Sequence, residues 1–135
     1  MKLDTELIKL INLFEEVTKA KVKDCFENNE RLVFVVKDVD VLRAIGKNAA
    51  NIKKVENMLK KRIKIVGYSE EITKFVRSFI APLKADSIEF VDGIVYIKSI
   101  DTRVKGLLIG RNKKNLNNLI EVAKKYYEFE DIRVE

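Results

Sequence analysis

The stretch IGKNAANIKKVENMLKK, residues 45–61, recurs as IGRNKKNLNNLIEVAKK, residues 109–125, at an offset of 64 without gaps. Six pairs are identical: Ile45/Ile109, Gly46/Gly110, Asn48/Asn112, Asn51/Asn115, Lys60/Lys124 and Lys61/Lys125. Lys47 meets Arg111, and Ile52 meets Leu116. Each copy reads as two helices parted by a glycine. Gly46 or Gly110 ends a short helix, where a positive φ or a close backbone approach is easily met. Asn48 or Asn112 is expected to cap a longer helix that runs to about Lys61 or Lys125.

The same offset holds upstream. Asn28-Asn29 aligns with Asp92-Gly93, and both are hairpin-turn dipeptides. Thr5-Glu6 aligns with Ser69-Glu70, and both suit a helix start. In copy one Leu7, Leu10, Ile11, Phe14 and Val17 recur at helical spacing, as do Ile72, Phe75, Val76 and Phe79 in copy two. Around the turn dipeptides, Val22-Phe26 with Leu32-Lys37 and Ser87-Val91 with Ile94-Lys98 read as hairpin strands, rich in valine, isoleucine and aromatics. Asp40 or Asp101 is the expected N-cap of the short helix. Arg62-Val66 or Glu128-Val134 closes each copy as a last strand. Phe14, Phe34, Phe75, Phe79 and Phe90 lie on apolar faces and are expected in the core.

The fold class is therefore α/β (α+β): the order α-β-β-α-α-β twice, each copy a three-stranded sheet packed by helices. The expected modules are 1–67 and 68–135, joined by little more than Gly67-Tyr68. So short a connection predicts rigid packing of one module on the other.

Composition narrows the function. The 135 residues are 47% hydrophobic, enough for a core. The longest unbroken apolar run, Leu32-Val36, is far too short to span a membrane, so no membrane partner is expected. MKLDTELIKLI carries early acids and no small-residue cleavage site, which reads as no signal peptide. A single cysteine, Cys25, fits a reducing, cytoplasmic setting and is expected as a buried structural thiol. There is no histidine, which removes the commonest general base and any cysteine/histidine zinc site. No nucleophile–base pair, metal cluster or nucleotide loop is visible, so neither an enzyme nor a cofactor is expected.

Charge is unevenly placed. Residues 43 to 64 sum to +7 and residues 103 to 125 to +6, so the rest of a chain of net charge +6 carries −7. Two matched basic windows in an otherwise acidic chain point to a polyanion. The loops inside them supply the chemistry: a cation on a tight turn beside a helix N-terminus suits a phosphate. The candidate set is Ile45, Gly46, Lys47, Asn48, Ala49, Asn51, Ile52 and Lys53 in copy one, and Ile109, Gly110, Arg111, Asn112, Lys113, Lys114, Asn115 and Leu116 in copy two. Ile52 and Leu116, with Ile45 and Ile109, are expected to form an apolar floor against which bases can lie. The acidic remainder, including Glu128, Glu130, Asp131 and Glu135, either keeps the chain soluble or faces a protein partner.

An Ile-Gly-x-x loop between two helices resembles K-homology (KH) domains, and the element order resembles their type II form. In such domains the loop clamps about four nucleotides of single-stranded nucleic acid. The repeated Ile-Gly-[Lys/Arg]-Asn wording and the tandem arrangement resemble archaeal NusA-type transcription factors over roughly residues 4 to 134. That resemblance implies single-stranded RNA and RNA polymerase as partners, and a role in pausing, termination or antitermination. One departure stands out. The final glycine of the KH loop is Ala49 in copy one, tolerable if φ there is negative, and Lys113 in copy two, which adds bulk and charge. Two other readings stay open: duplex-DNA binding by helix-turn-helix, and a ribosome-associated KH protein.

Overall fold

The computed structural model describes residues 5–135. The reading of the first residues as no leader rests partly on residues 1–4, outside that range. The chain divides into two compact units, Met1–Tyr68 and Ser69–Glu135. Each is a mixed α/β unit with one three-stranded sheet.

The first unit contains α1 (Thr5–Thr18), β1 (Val22–Asn28), β2 (Arg31–Lys37), α2 (Val41–Ile45), α3 (Ala50–Leu59) and β3 (Ile63–Tyr68). The sheet order is β1-β2-β3, with β1 antiparallel and β3 parallel to the central β2. A parallel neighbour needs a crossover, and α2 and α3 supply it. The apolar run Leu32-Val36 is buried throughout, as suits a central strand. Phe14 of α1 stacks on Phe34 of β2 with centroids 4.1 Å apart and planes 9° from parallel. Cys25, Ala44, Val55 and Ile65 complete the core around them.

Strict alternation along Val22-Lys23-Asp24-Cys25 would place Lys23 on the same face as buried Cys25. A bulge prevents this: Cys25 opposes Phe34, Asp24 opposes Val35, and then Val22, not Lys23, opposes Val36. The hairpin turn falls on Asn29 and Glu30, both with positive φ (52° and 63°), one residue later than Asn28-Asn29. This register sets Cys25 against Phe34 on the inner face; a turn at Asn28-Asn29 would have set Lys23 there. Gly67 and Tyr68, read from the sequence as the connection, are the last residues of β3. A Cβ on Gly67 would stand 2.7 Å from the Val41 side chain and 2.9 Å from the Asp38 backbone.

The second unit contains α4 (Ile72–Ile80), β4 (Ser87–Val91), β5 (Ile94–Lys98), α5 (Thr102–Ile109), α6 (Lys114–Ala123) and β6 (Asp131–Val134), in sheet order β4-β5-β6. Its turn is Asp92-Gly93, as the sequence reads. Phe75, Val76, Val95, Ile97, Leu119, Val122 and Ile132 are buried. Tyr126 and Tyr127 pack their rings on Phe75 at 5.5 and 5.3 Å between centroids. Two expectations fail here. The first helix begins at Ile72 rather than Ser69, because the Ser69 hydroxyl accepts from the Glu71 amide and holds a local turn. Phe90 is 46% exposed, since it lies near the end of an outer strand. No helix among the described residues is long and apolar enough to cross a membrane.

Candidate nucleic-acid interface

Both repeated loops adopt one backbone conformation. After α2, Gly46 has φ 80° and ψ 165°; after α5, Gly110 has φ 75° and ψ 170°. A single 3₁₀ turn follows, Lys47–Ala49 or Arg111–Lys113. Within it Asn48 lies at 55°, 33° and Asn112 at 56°, 31°. Ala49 lies at 59°, 27° and Lys113 at 61°, 21°. The next helix starts immediately, so its first N–H groups, which have no intrahelical partner, stand beside the loop.

The glycines are required twice over. Their φ and ψ fall in a region that only glycine populates freely. A Cβ on Gly46 would also lie 2.9 Å from Asn51 Cγ and 3.0 Å from the Asn51 amide nitrogen. On Gly110 the corresponding distances to Asn115 are 2.7 and 2.9 Å. Any side chain here therefore disturbs the helix junction itself.

Those two asparagines explain their own recurrence. The Asn51 side-chain amide donates to the Arg43 carbonyl oxygen at 3.2 Å, and Asn115 donates to Leu107 at 2.8 Å. Each ties the second helix to the last turn of the first, where carbonyls lack intrahelical donors. The capping role expected of Asn48 and Asn112 is not seen. Both sit in the left-handed region one residue before the cap position, and neither loop has a side-chain cap bond. The condition under which alanine replaces the loop's final glycine without strain, a negative φ at Ala49, is not met, since Ala49 and Lys113 are both left-handed. Asp101 caps α5, its carboxylate accepting from the Arg103 amide at 2.8 Å and from the Val104 amide at 3.3 Å. Asp40 caps nothing: a 3₁₀ turn, Asp38–Asp40, runs straight into α2, and its carboxylate binds Arg43 instead.

The side chains sort by exposure. Lys47, Asn48 and Lys53 are exposed, as are Arg111, Asn112, Lys113 and Lys114. Ile45 and Ile52 are half-buried against the first core. Ile109 and Leu116 line a groove of ≈ 420 Å³ between α6 and the outer strand β6. Ile120, Ile132 and Val134 deepen that groove, and Lys113 stands at its loop end. Asp131, Arg133 and Glu135 line it too, and Arg133 Nε lies 3.3 Å from the Asp131 carboxylate. Sequence reading missed the β6 wall, because a strand's neighbours depend on the sheet it joins. It also missed Leu42, which is 83% exposed one turn before Gly46. The signal was present: α2 is Val-Leu-Arg-Ala-Ile, and one helix face cannot bury all four apolar residues.

A family model described as KH domain matches residues 10–104, more than half of the chain and running across both units. The probable transcription termination protein NusA of Methanocaldococcus jannaschii is 33% identical over 138 residues, covering 99% of this chain and 75% of that protein. The same-named protein of Methanococcus vannielii is 32% identical, covering 99% and 79%. That of Halococcus morrhuae is 28% identical, covering 97% and 95%. The solved crystal structure of APE1850 is similar with a TM-score of 0.73 at 27% identity, covering 98% of this chain and 100% of the other. With the repeated Ile-Gly loops in place, the chain belongs to the KH-domain family and, within it, to the NusA-type proteins.

Proposed function

We propose that this chain is a cytoplasmic, non-enzymatic factor that binds single-stranded RNA and acts on nascent transcripts in termination, antitermination or pausing beside RNA polymerase. Each unit is read as a type II KH module, supported by the α-β-β-α-α-β order and by a last strand parallel to the second. The observation that carries the proposal is the shared loop conformation. The two loops agree closely in every dihedral given above and present an exposed cation and asparagine at their tips. A cation above a helix start is suited to a phosphate backbone. Half-buried Ile45 and Ile52, and Ile109 and Leu116, offer the bases an apolar wall. The first loop is favoured as the closer clamp, because Ala49 adds one methyl where Lys113 adds a long charged chain.

The transcription role rests on the names of the archaeal relatives. The RNA role can be tested directly. Gly46→Asp is a poor probe, since any Cβ there strikes Asn51. The double substitutions Lys47→Glu/Asn48→Asp and Arg111→Glu/Asn112→Asp keep the backbone, because aspartate tolerates the left-handed region. Wild type and both variants would be titrated with single-stranded RNA and with duplex DNA at fixed salt. Wild type should prefer RNA and lose affinity with salt at a log-log slope of about −2 to −3.5, from roughly three to five phosphate contacts. The first variant should weaken RNA binding at least about tenfold with an unchanged circular dichroism spectrum. Preference for duplex DNA, or unchanged binding by both variants, would overturn the assignment.

A further inference from the structure

On the second unit, a cleft of ≈ 610 Å³ opens between the start of α4 and the outer strand β4. Four carboxylates line it: Glu70, Glu71, Glu89 and Glu128. No lysine or arginine is among its lining residues, in a chain of net charge +6. Glu71 meets Lys74 at 2.9 Å and Glu89 meets Lys98 at 3.7 Å, but both pairs are exposed and exchange readily with other cations. Between the carboxylates lie apolar side chains. Phe90 and Val91 are 46% and 48% exposed, which is unusual for two adjacent large apolar residues of a strand.

The backbone adds a third feature. β4 is an outer strand of its sheet. Its ladder with β5 closes at the Val91↔Ile94 pair across a two-residue turn. Alternation from that pair turns the backbone N–H and C=O of Ile88 and Phe90 away from β5. Outer strands are usually blunted against pairing. Here the edge runs along an acidic, partly apolar cleft.

We propose that this cleft is a docking site for an extended, lysine- or arginine-bearing peptide segment of a protein partner. The segment adds to the β4 edge through its backbone, seats an apolar side chain beside Phe90, and sets its cations on the glutamates. The charge of the cleft disfavours nucleic acid as the occupant, since four carboxylates repel phosphate. The inference is independent of the RNA reading, and neither fails with the other.

The test uses the full chain, ¹⁵N-labelled, titrated with a synthetic peptide of alternating lysine and valine, with an alternating glutamate–valine peptide as the control. The lysine peptide should shift the amide resonances of Ser87–Val91 saturably and leave both glycine loops unmoved. Glu70→Gln/Glu89→Gln/Glu128→Gln should weaken that binding about tenfold, the sum of three partly exposed ion pairs. These surface substitutions should keep the spectrum dispersed, which reports folding in the same experiment. Phe90→Ala should weaken binding separately. Absence of a saturable shift in Ser87–Val91, equal binding of the glutamate peptide, or unchanged binding by the triple variant would each overturn the proposal. A single-stranded oligonucleotide shifting these same amides would overturn it as well.

Discussion

Asn115 donates its side-chain amide to the Leu107 carbonyl oxygen at 2.8 Å, and in the first copy Asn51 makes the same bond to Arg43 at 3.2 Å. The pair holds each loop between its two helices and fills the space that keeps Gly46 and Gly110 bare. Asn115→Ala should cost about 1 kcal/mol of stability, the ordinary worth of one such bond. Asn115→Asp should cost more, because a carboxylate faces the carbonyl with two acceptors and no donor. Urea denaturation of the two variants gives the order, and the alanine variant being the less stable would contradict this role.

Ala49 and Lys113 each hold a left-handed backbone, with φ of 59° and 61°. For an L residue this conformation costs roughly 1–2 kcal/mol, which glycine avoids. Ala49→Gly and Lys113→Gly should each raise stability by about 1 kcal/mol, part of the relief being offset by the looser unfolded chain. Thermal melts measure this. On the proposed RNA reading, Ala49→Gly should leave RNA affinity equal or better, since it removes a methyl from the loop.

Only one of the two aspartates before the short helices is a cap. Asp101 accepts from two amides of α5, whereas Asp40 forms an exposed pair with Arg43. Asp101→Ala should therefore cost about 1 kcal/mol. Asp40→Ala should lie within about 0.5 kcal/mol of wild type. Equal losses in the two variants would show that the capping geometry is not the cause.

Lys64 sits partly buried in β3, where burial and then the charge of Arg31 lower its pKa from 10.5 to about 8. Between those values the unfolded chain holds a proton that the folded chain has lost. Stability linked to this group therefore rises with pH across that window, and it is lost as pH falls through about 8. Lys64→Met should stabilise the protein near neutral pH, with the gain shrinking toward about pH 10. Denaturant titrations at the two pH values give the difference, and a gain that grows with pH would contradict the assignment.

Cys25 is buried, and desolvation, followed by Asp24, pushes its thiol up to about 12, against a lowering by Lys61. The thiolate is the reactive form, so iodoacetamide should label Cys25 only in denaturant at neutral pH. Rapid labelling of the folded protein would show an open route to β1.

What the amino-acid sequence determined by itself is what short-range chemistry controls. The two glycines and their following cations announced the helix–turn–helix loops, because a helix end and a tight turn depend on a few adjacent residues. Apolar spacing placed both sheets and most of the core, Phe14 and Phe34 included, and the turn-forming dipeptide Asp92-Gly93 placed the second hairpin's turn. The remaining features depended on the tertiary structure, because they arise between residues that the chain brings together only on folding. Asn51 and Asn115 bond carbonyls eight residues back, across a corner whose angle follows from packing. Lys23 leaves the inner face only because a bulge sets Val22 against Val36. The left-handed Ala49 belongs to a loop closed from both ends by packed helices. Phe90 is exposed because sheet order makes β4 an outer strand, and which strand lies outside is decided by β6 pairing with β5 across the whole length of α5 and α6.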